Sequence, residues 1–143
     1  MEDLKKVIVI RYSEIFLKGK NFGFFEKKLL NNIKEKLSQF DCEVLRTNKR
    51  FLVENFDAKQ EKKIVQALLT VFGICSISVA VKLVTDLKII NDYVSSIKIK
   101  TQNFRVTVNR ADKRFPITSI DYSKSLGGII LKNNSDVSVD LHN

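Results

Sequence analysis

The chain has 143 residues, 44% hydrophobic and 29% charged, which suits one domain or two very small ones with a real core. Its 25 Lys and Arg outweigh 16 Asp and Glu, giving a net charge of +9, and that footprint favours an anionic partner, nucleic acid first. Two isolated cysteines and one histidine exclude a plausible zinc set, and no apolar run approaches the roughly 18 residues needed to span a bilayer.

The opening MEDLKK lacks the pattern of a secretory signal. The expectation is a soluble, cytoplasmic protein with reduced thiols and no membrane partner. Residues 5–12, KKVIVIRY, form the β-branched apolar run of a central strand. The loop RYSEIFLKGKN follows, with Lys18 and Lys20 flanking Gly19, and Asn21 placed to cap the next helix. Two lysines around a glycine between strand and helix suit a phosphate. Glu14, within reach of Lys18 or Arg11, offers a purely structural alternative.

Phe22, Phe25, Leu29, Ile33 and Leu37 then recur at helical spacing, with Lys27, Lys28, Lys34 and Lys36 largely on the other faces. CEVLRTNKRFLVENF reads as a hairpin with a basic tip at Lys49 and Arg50. Asp57 and Gln60 resemble a capping box opening an amphipathic helix, which Gly73 is expected to stop in a left-handed cap. ICSISVAVKLV is a long strand in which Ser76, Ser78 and Ala80 tolerate close packing. The order is βαββαβ, the ferredoxin-like arrangement.

The second half resumes with a helix capped by Thr85 or Asp86 and striped by Leu87, Ile90, Val94 and Ile97. NFRVTVNR alternates Phe104, Val106 and Val108 against Arg105, Thr107 and Asn109, so one face is buried and one wet. Pro116 marks the end of the next loop, and Thr118 with Asp121 suits a helix start. VSVDLH alternates again like an interior strand with nothing following to cover it, so the second domain reads as incomplete at its C-terminal end. Counted by halves, residues 1–58 carry 12 basic and 9 acidic side chains, and residues 59–143 carry 13 and 7.

The second-half excess gathers around NRADKRFP, residues 109–116, where Arg110, Lys113 and Arg114 surround Asp112. Arginine forks suit bidentate phosphate contacts and lysine a point contact. The bland alternative is Asp112 paired with one of the three in a solvated loop. Lys124 adds a cation on the following helix, and Phe115 is a candidate for base stacking, with core packing the plainer role. SLGG at 125–128 imitates a phosphate loop but lacks the Asp-Ser that should follow. Its two glycines, each costing about 1 kcal/mol in a helix, suit close helix–strand packing. Cys42 and Cys75 read as small core residues.

RYSEIFLKGKN, VFGI at 71–74, NRADKRFP and VDLHN at 139–143 stand in the order and spacing of a known family. The sequence resembles the N-terminal region of the tRNA 4-thiouridine synthases, also called tRNA sulfurtransferases or ThiI and linked to thiamine biosynthesis. It departs from that pattern at Ser13, where Gly is usual, at Phe22, where Arg is usual, and at Val79, where Pro is common. The resemblance implies an α+β architecture in which a ferredoxin-like domain packs on a THUMP domain, an RNA-binding module. On that basis residues 1–58 are assigned to the first domain and 59–143 to an incomplete THUMP domain, with the helix and strand over 59–84 shared. It further implies that Lys18, Lys20, Asn21, Lys49, Arg50, Arg110, Lys113, Arg114 and Lys124 contact RNA, gripping the tRNA 3′ acceptor end like a ruler so that uridine 8 reaches a separate catalytic domain.

That catalytic domain, with its Ser-Gly-Gly-Xaa-Asp-Ser loop, would use ATP and magnesium, and a cysteine desulfurase would supply sulfur. No catalytic residue, metal or cofactor is expected in this chain itself. A homodimer is one assembly compatible with the resemblance. Two alternatives stand beside it: the THUMP-containing part of a tRNA methyltransferase or pseudouridine synthase, or a small basic α+β protein that binds an anion.

Overall fold

The computed structural model describes residues 5–12, 22–47, 49–100, 103–134 and 138–139. The chain divides into two compact units, Met1–Lys82 and Leu83–Asn143. The helix and strand expected over 59–84 therefore lie, save for the last two residues, in the first unit.

The first unit runs β1 (Lys5–Tyr12), α1 (Phe22–Lys36), β2 (Glu43–Thr47), β3 (Arg50–Glu54), α2 (Glu61–Leu68) and β4 (Ile74–Lys82). Its sheet has the order β2-β3-β1-β4, antiparallel throughout, which is the ferredoxin-like βαββαβ topology. The β-branched run of β1 makes it a central strand, flanked by β3 and β4. Alternation along β1 sends Ile8, Ile10 and Tyr12 into a core with Phe51 and Val53 of β3, Leu29 and Ile33 of α1, Leu37, and Ile64 and Leu68 of α2. Each such side chain contributes roughly 1.5–3 kcal/mol by leaving water. Val7 and Glu54, on the opposite face of the sheet, are buried as well.

Local signals act much as the sequence suggests, with two adjustments. Asp57 does cap, accepting from the Lys59 amide at 3.0 Å, but the turn it starts is a short 3-10 segment, Ala58–Gln60, ahead of α2. Gly73 does take a left-handed φ of +102°, yet α2 has already ended at Leu68. The glycine instead turns the chain into β4, beside Phe25 and Leu29.

The second unit contains α3 (Leu87–Ser95), β5 (Asn103–Phe104), α4 (Ser119–Asn133) and β6 (Ser138–Val139), with β5 and β6 paired in parallel. Asp86 caps α3 by accepting from the Lys88 and Ile89 amides, and Thr118 caps α4 by accepting from the Asp121 amide. The long strand expected over 103–110 is a strand only at Asn103–Phe104, although side chains keep alternating between exposed and half-buried through Arg110. The buried face of α4 is Tyr122, Leu126, Gly127 and Ile130. Tyr122 donates to Asn91 Oδ1 on α3 at 2.9 Å, tying the two helices together. A Cβ on Gly127 would meet only Val106 at 4.0 Å, and one on Gly128 would meet nothing, so close packing does not demand the glycine pair. Among the described residues, no helix is long and apolar enough to cross a membrane.

Candidate nucleic-acid interface

Of the cations singled out in the sequence, Lys18, Lys20 and Asn21 lie outside the described residues. The hairpin tip is described. Lys49 adopts φ +64°, uncommon for a residue with a side chain, and is exposed. Arg50 follows as the exposed first residue of β3. Nearby on the helix-facing side, Arg46 Nε contacts Glu26 Oε1 at 2.5 Å, and the Tyr12 hydroxyl donates to Glu26 Oε2 at 2.6 Å. Burial first, then the hydrogen bond to Glu26, pushes the Tyr12 phenol well above its ordinary range. This network joins the end of β1 to the second turn of α1, the two described elements on either side of residues 13–21.

In the second unit, 109–118 connects the alternating segment to α4. Arg110 is half-buried. Its Nη1 donates to the carbonyl oxygens of Phe115 at 3.1 Å and Ile117 at 3.5 Å, and its amide donates to Ser119 Oγ at 3.3 Å. The side chain therefore fastens the loop from inside. Arg114 forks onto Asp112, with Nη2 at 2.9 Å from Oδ2 and Nε at 3.1 Å from Oδ1. Those bonds hold the Asp112 carboxyl below its usual range and raise the guanidinium pKa further. With side-chain exposures of 92% and 59%, the pair is solvated and screened, so an incoming phosphate meets little resistance from it. Lys113 is exposed and has no ion pair among the described residues.

Phe115 is half-buried and packs its ring against Tyr122 at 5.2 Å between centroids, inclined at 45°. It serves as packing that fixes the loop to α4. Arg110, Arg114 and Phe115 line one surface cleft of about 980 Å³ with the start of α3. Asp86 and Asp112 share that cleft, so it is mixed in charge. Lys124 lies elsewhere, facing Arg105 across a groove of about 660 Å³ between 105–108 and α4. Arg105, on the wet face of the alternating segment, joins Lys124 in lining that groove.

Charge is distributed differently once the structural division replaces the halves. Residues 1–82 hold 16 Lys and Arg against 10 Asp and Glu, net +6, and residues 83–143 hold 9 against 6, net +3. The shift comes from Lys59, Lys62, Lys63 and Lys82, which belong with the first unit. Cys42 is half-buried, and burial with the neighbouring Asp41 pushes its thiol pKa up, away from a reactive thiolate. Cys75 is exposed at the irregularity where β4 meets the end of β1, not in the core. Among the described residues, no three His, Cys, Asp or Glu side chains are grouped to hold a metal ion.

These features define an α+β protein whose first unit is ferredoxin-like and whose second, also net basic, combines two helices with a short parallel strand pair. Residues 7–78 match the family model for the ThiI ferredoxin-like domain, and residues 88–143 match the THUMP domain. The chain belongs to the tRNA sulfurtransferase (ThiI) family. Curated relatives include probable tRNA sulfurtransferases from Alkaliphilus oremlandii, 38% identical over 97% of this chain, and Acetivibrio thermocellus, 37% identical over 98%. The chain spans only 37% and 38% of those relatives' lengths. Among solved structures, a Pyrococcus horikoshii protein superposes with a TM-score of 0.79 at 32% identity, covering 96% of this chain and 48% of that one. A 4-thiouridine synthetase crystallised with RNA and bound ATP superposes with a TM-score of 0.78 at 31% identity, covering 97% of this chain and 36% of that one.

Proposed function

We propose that this chain is the tRNA-holding region of an enzyme that makes 4-thiouridine at position 8 of tRNA, and that it grips the 3′ acceptor end. The observation that carries this reading is the match of both units, in order and along nearly the whole chain, to a 4-thiouridine synthetase solved with RNA. The net charge of +9 and the exposed Lys49, Arg50, Lys113 and Arg114 support it physically. In this reading Arg110 shapes the loop, Lys113 and Arg114 meet phosphates, and Lys18 and Lys20 add to the basic surface. Adenylation with ATP and magnesium, and sulfur delivered by a cysteine desulfurase, fall to the part of such an enzyme that the relatives have beyond this length. The setting is the cytoplasm, where tRNA is modified.

The test is competition at near-physiological salt between an RNA hairpin ending in unpaired CCA and the same hairpin trimmed flush. Preference for the unpaired end is expected, because a single strand exposes base faces that an A-form duplex hides. Equal binding would reduce the chain to a general basic surface. Replacing Lys113 and Arg114 together by Ala should flatten the salt slope by about one to two units, with circular dichroism unchanged.

A further inference from the structure

The sheet of the first unit carries three pairs of like-charged residues directly opposite each other on its face away from the core, one acidic (Glu43 of β2 opposite Glu54 of β3) and two basic. Lys5 of β1 faces Lys82 of β4, and Arg11 of β1 faces Arg50 of β3. Cations so placed, with Cβ atoms about 5 Å apart, destabilise a sheet unless something negative lies between them. For the lysines something does: Glu54, almost fully buried, lies 3.3 Å from Lys5 Nζ and 2.7 Å from Lys82 Nζ. For the arginines, nothing negative does among the described residues. Arg11 donates Nη1 to Ser78 Oγ at 2.9 Å, a neutral partner that orients the guanidinium without neutralising it.

Register extends the arginine pair into a row across all four strands. Thr47 faces Arg50, Arg50 faces Arg11, and Arg11 faces Ser76. The row is two hydroxyls around two guanidiniums, with no carboxylate. The neighbouring row, Leu45, Leu52, Val9 and Ser78, brings no negative charge either. Arg50 and Ser76 are exposed, and Arg11 and Thr47 are half-buried, so the guanidiniums are partly desolvated but reachable. A phosphodiester has two non-bridging oxygens and a negative charge, which two arginine forks and flanking hydroxyls match.

We propose that Thr47, Arg50, Arg11 and Ser76 form a seat for one backbone phosphate of the bound RNA. This rests on the RNA-binding reading above and adds Arg11, Thr47 and Ser76 to it. The arginine pair, uncompensated among the described residues, is then a local instability that the ligand relieves.

The experiment titrates the 143-residue chain with the CCA-ended hairpin over a range of salt, for the wild type, Arg50→Gln, Arg11→Gln and the double variant. Urea unfolding is run on the same proteins at low and at 1 M salt. Each single variant should lower the magnitude of the salt slope by about 0.7–0.9. The double variant should lose less affinity than the product of the singles, because both contact the same phosphate. Arg50→Gln should also raise the urea midpoint at low salt, and that gain should vanish at 1 M. If Arg11→Gln fails to fold, exposed Arg50 carries the test alone. A wild type that binds with a steep slope that Arg50→Gln leaves untouched overturns the seat alone, and a wild type that does not bind the hairpin defeats the RNA reading and the seat together.

Discussion

The two ends of the first unit's sheet handle the same electrostatic problem differently. At the Lys5 end, two ammonium groups opposed across β1 and β4 share the carboxylate of Glu54. At the Arg11 end, two guanidiniums are opposed across β1 and β3, and among the described residues Arg11 has the neutral Ser78 as its side-chain partner. A fold that neutralises one pair internally shows that the second could have been neutralised the same way. One opposed pair of cations is offset by a carboxylate of the fold, and in the proposed seat the other is offset by a phosphate from outside. A similar division runs through the loop of the second unit, where Arg110 is committed to backbone carbonyls and Lys113 to nothing described.

The largest effect should come from breaking the compensated end. Glu54→Gln leaves Lys5 and Lys82 opposed without the carboxylate they share and, net of the relieved opposition between Glu43 and Glu54, should destabilise the chain by about 2 kcal/mol at pH 7, between a surface and a buried ion pair. Urea unfolding measures it. The pH dependence has a definite sign. The hydrogen bond from Lys82, with Lys5 adding, holds the folded Glu54 pKa below its ordinary value in spite of burial. Its stabilisation is therefore fully present above the unfolded value, near 4.3, and is lost as pH falls through the lower folded value. The Gln variant should lack that part of the acid decline. A variant as stable as the wild type at pH 7 would remove Glu54 as the compensating charge.

The first unit was legible in sequence because its signals are local and agree with one another. The β-branched run gave β1 its bounds, Lys5–Tyr12, and the helical spacing of Leu29 and Ile33, continued by Leu37 just past the helix, gave α1 its buried face. The second unit was legible in pattern but less so in pairing. Alternation from Asn103 to Arg110 sets which side chains are covered, whereas a strand also needs a partner, and among the described residues β6 supplies one opposite Asn103 and Phe104. For the candidate site, the sequence showed which residues are cationic but not what they hold. Arg110 and Arg114 look alike in NRADKRFP, yet one is sewn to carbonyls and the other forks onto Asp112. Cross-strand neighbours such as Arg11 and Arg50 are 39 positions apart in the chain, and only the register brings them together.

A smaller effect should separate committed from uncommitted cations in the second unit. Arg110→Gln removes donors to the Phe115 and Ile117 carbonyls and should cost about 1 kcal/mol, felt locally. Hydrogen exchange at the Phe115 amide, which donates to the Asp112 carbonyl at 3.1 Å, should accelerate. Lys113→Ala should leave that amide unchanged. Equal acceleration in both variants would mean that Arg110 does not hold the loop.

The smallest stability effect, and the sharpest test of the contrast, comes from giving the arginine end what the lysine end already has. Thr47 stands directly opposite Arg50, in the same row as Arg11. Thr47→Glu would place a carboxylate within reach of the nearer guanidinium, on the half-buried edge of the sheet. A cross-strand pair of opposite charge contributes roughly 0.2–1 kcal/mol, so a net gain of about 0.5 kcal/mol is expected at low salt, with Thr47→Gln as the uncharged control. The gain should disappear at 1 M salt, where the screening length falls to about 3 Å. The same variant should bind the CCA-ended hairpin more weakly, because the built-in carboxylate occupies the charge that a phosphate would meet. Stability and affinity would then move in opposite directions on one substitution, which a merely tolerated arginine pair does not predict. If the Glu variant is no more stable than the Gln variant at low salt, the two arginines are not in electrostatic conflict, and the contrast between the two ends of the sheet collapses.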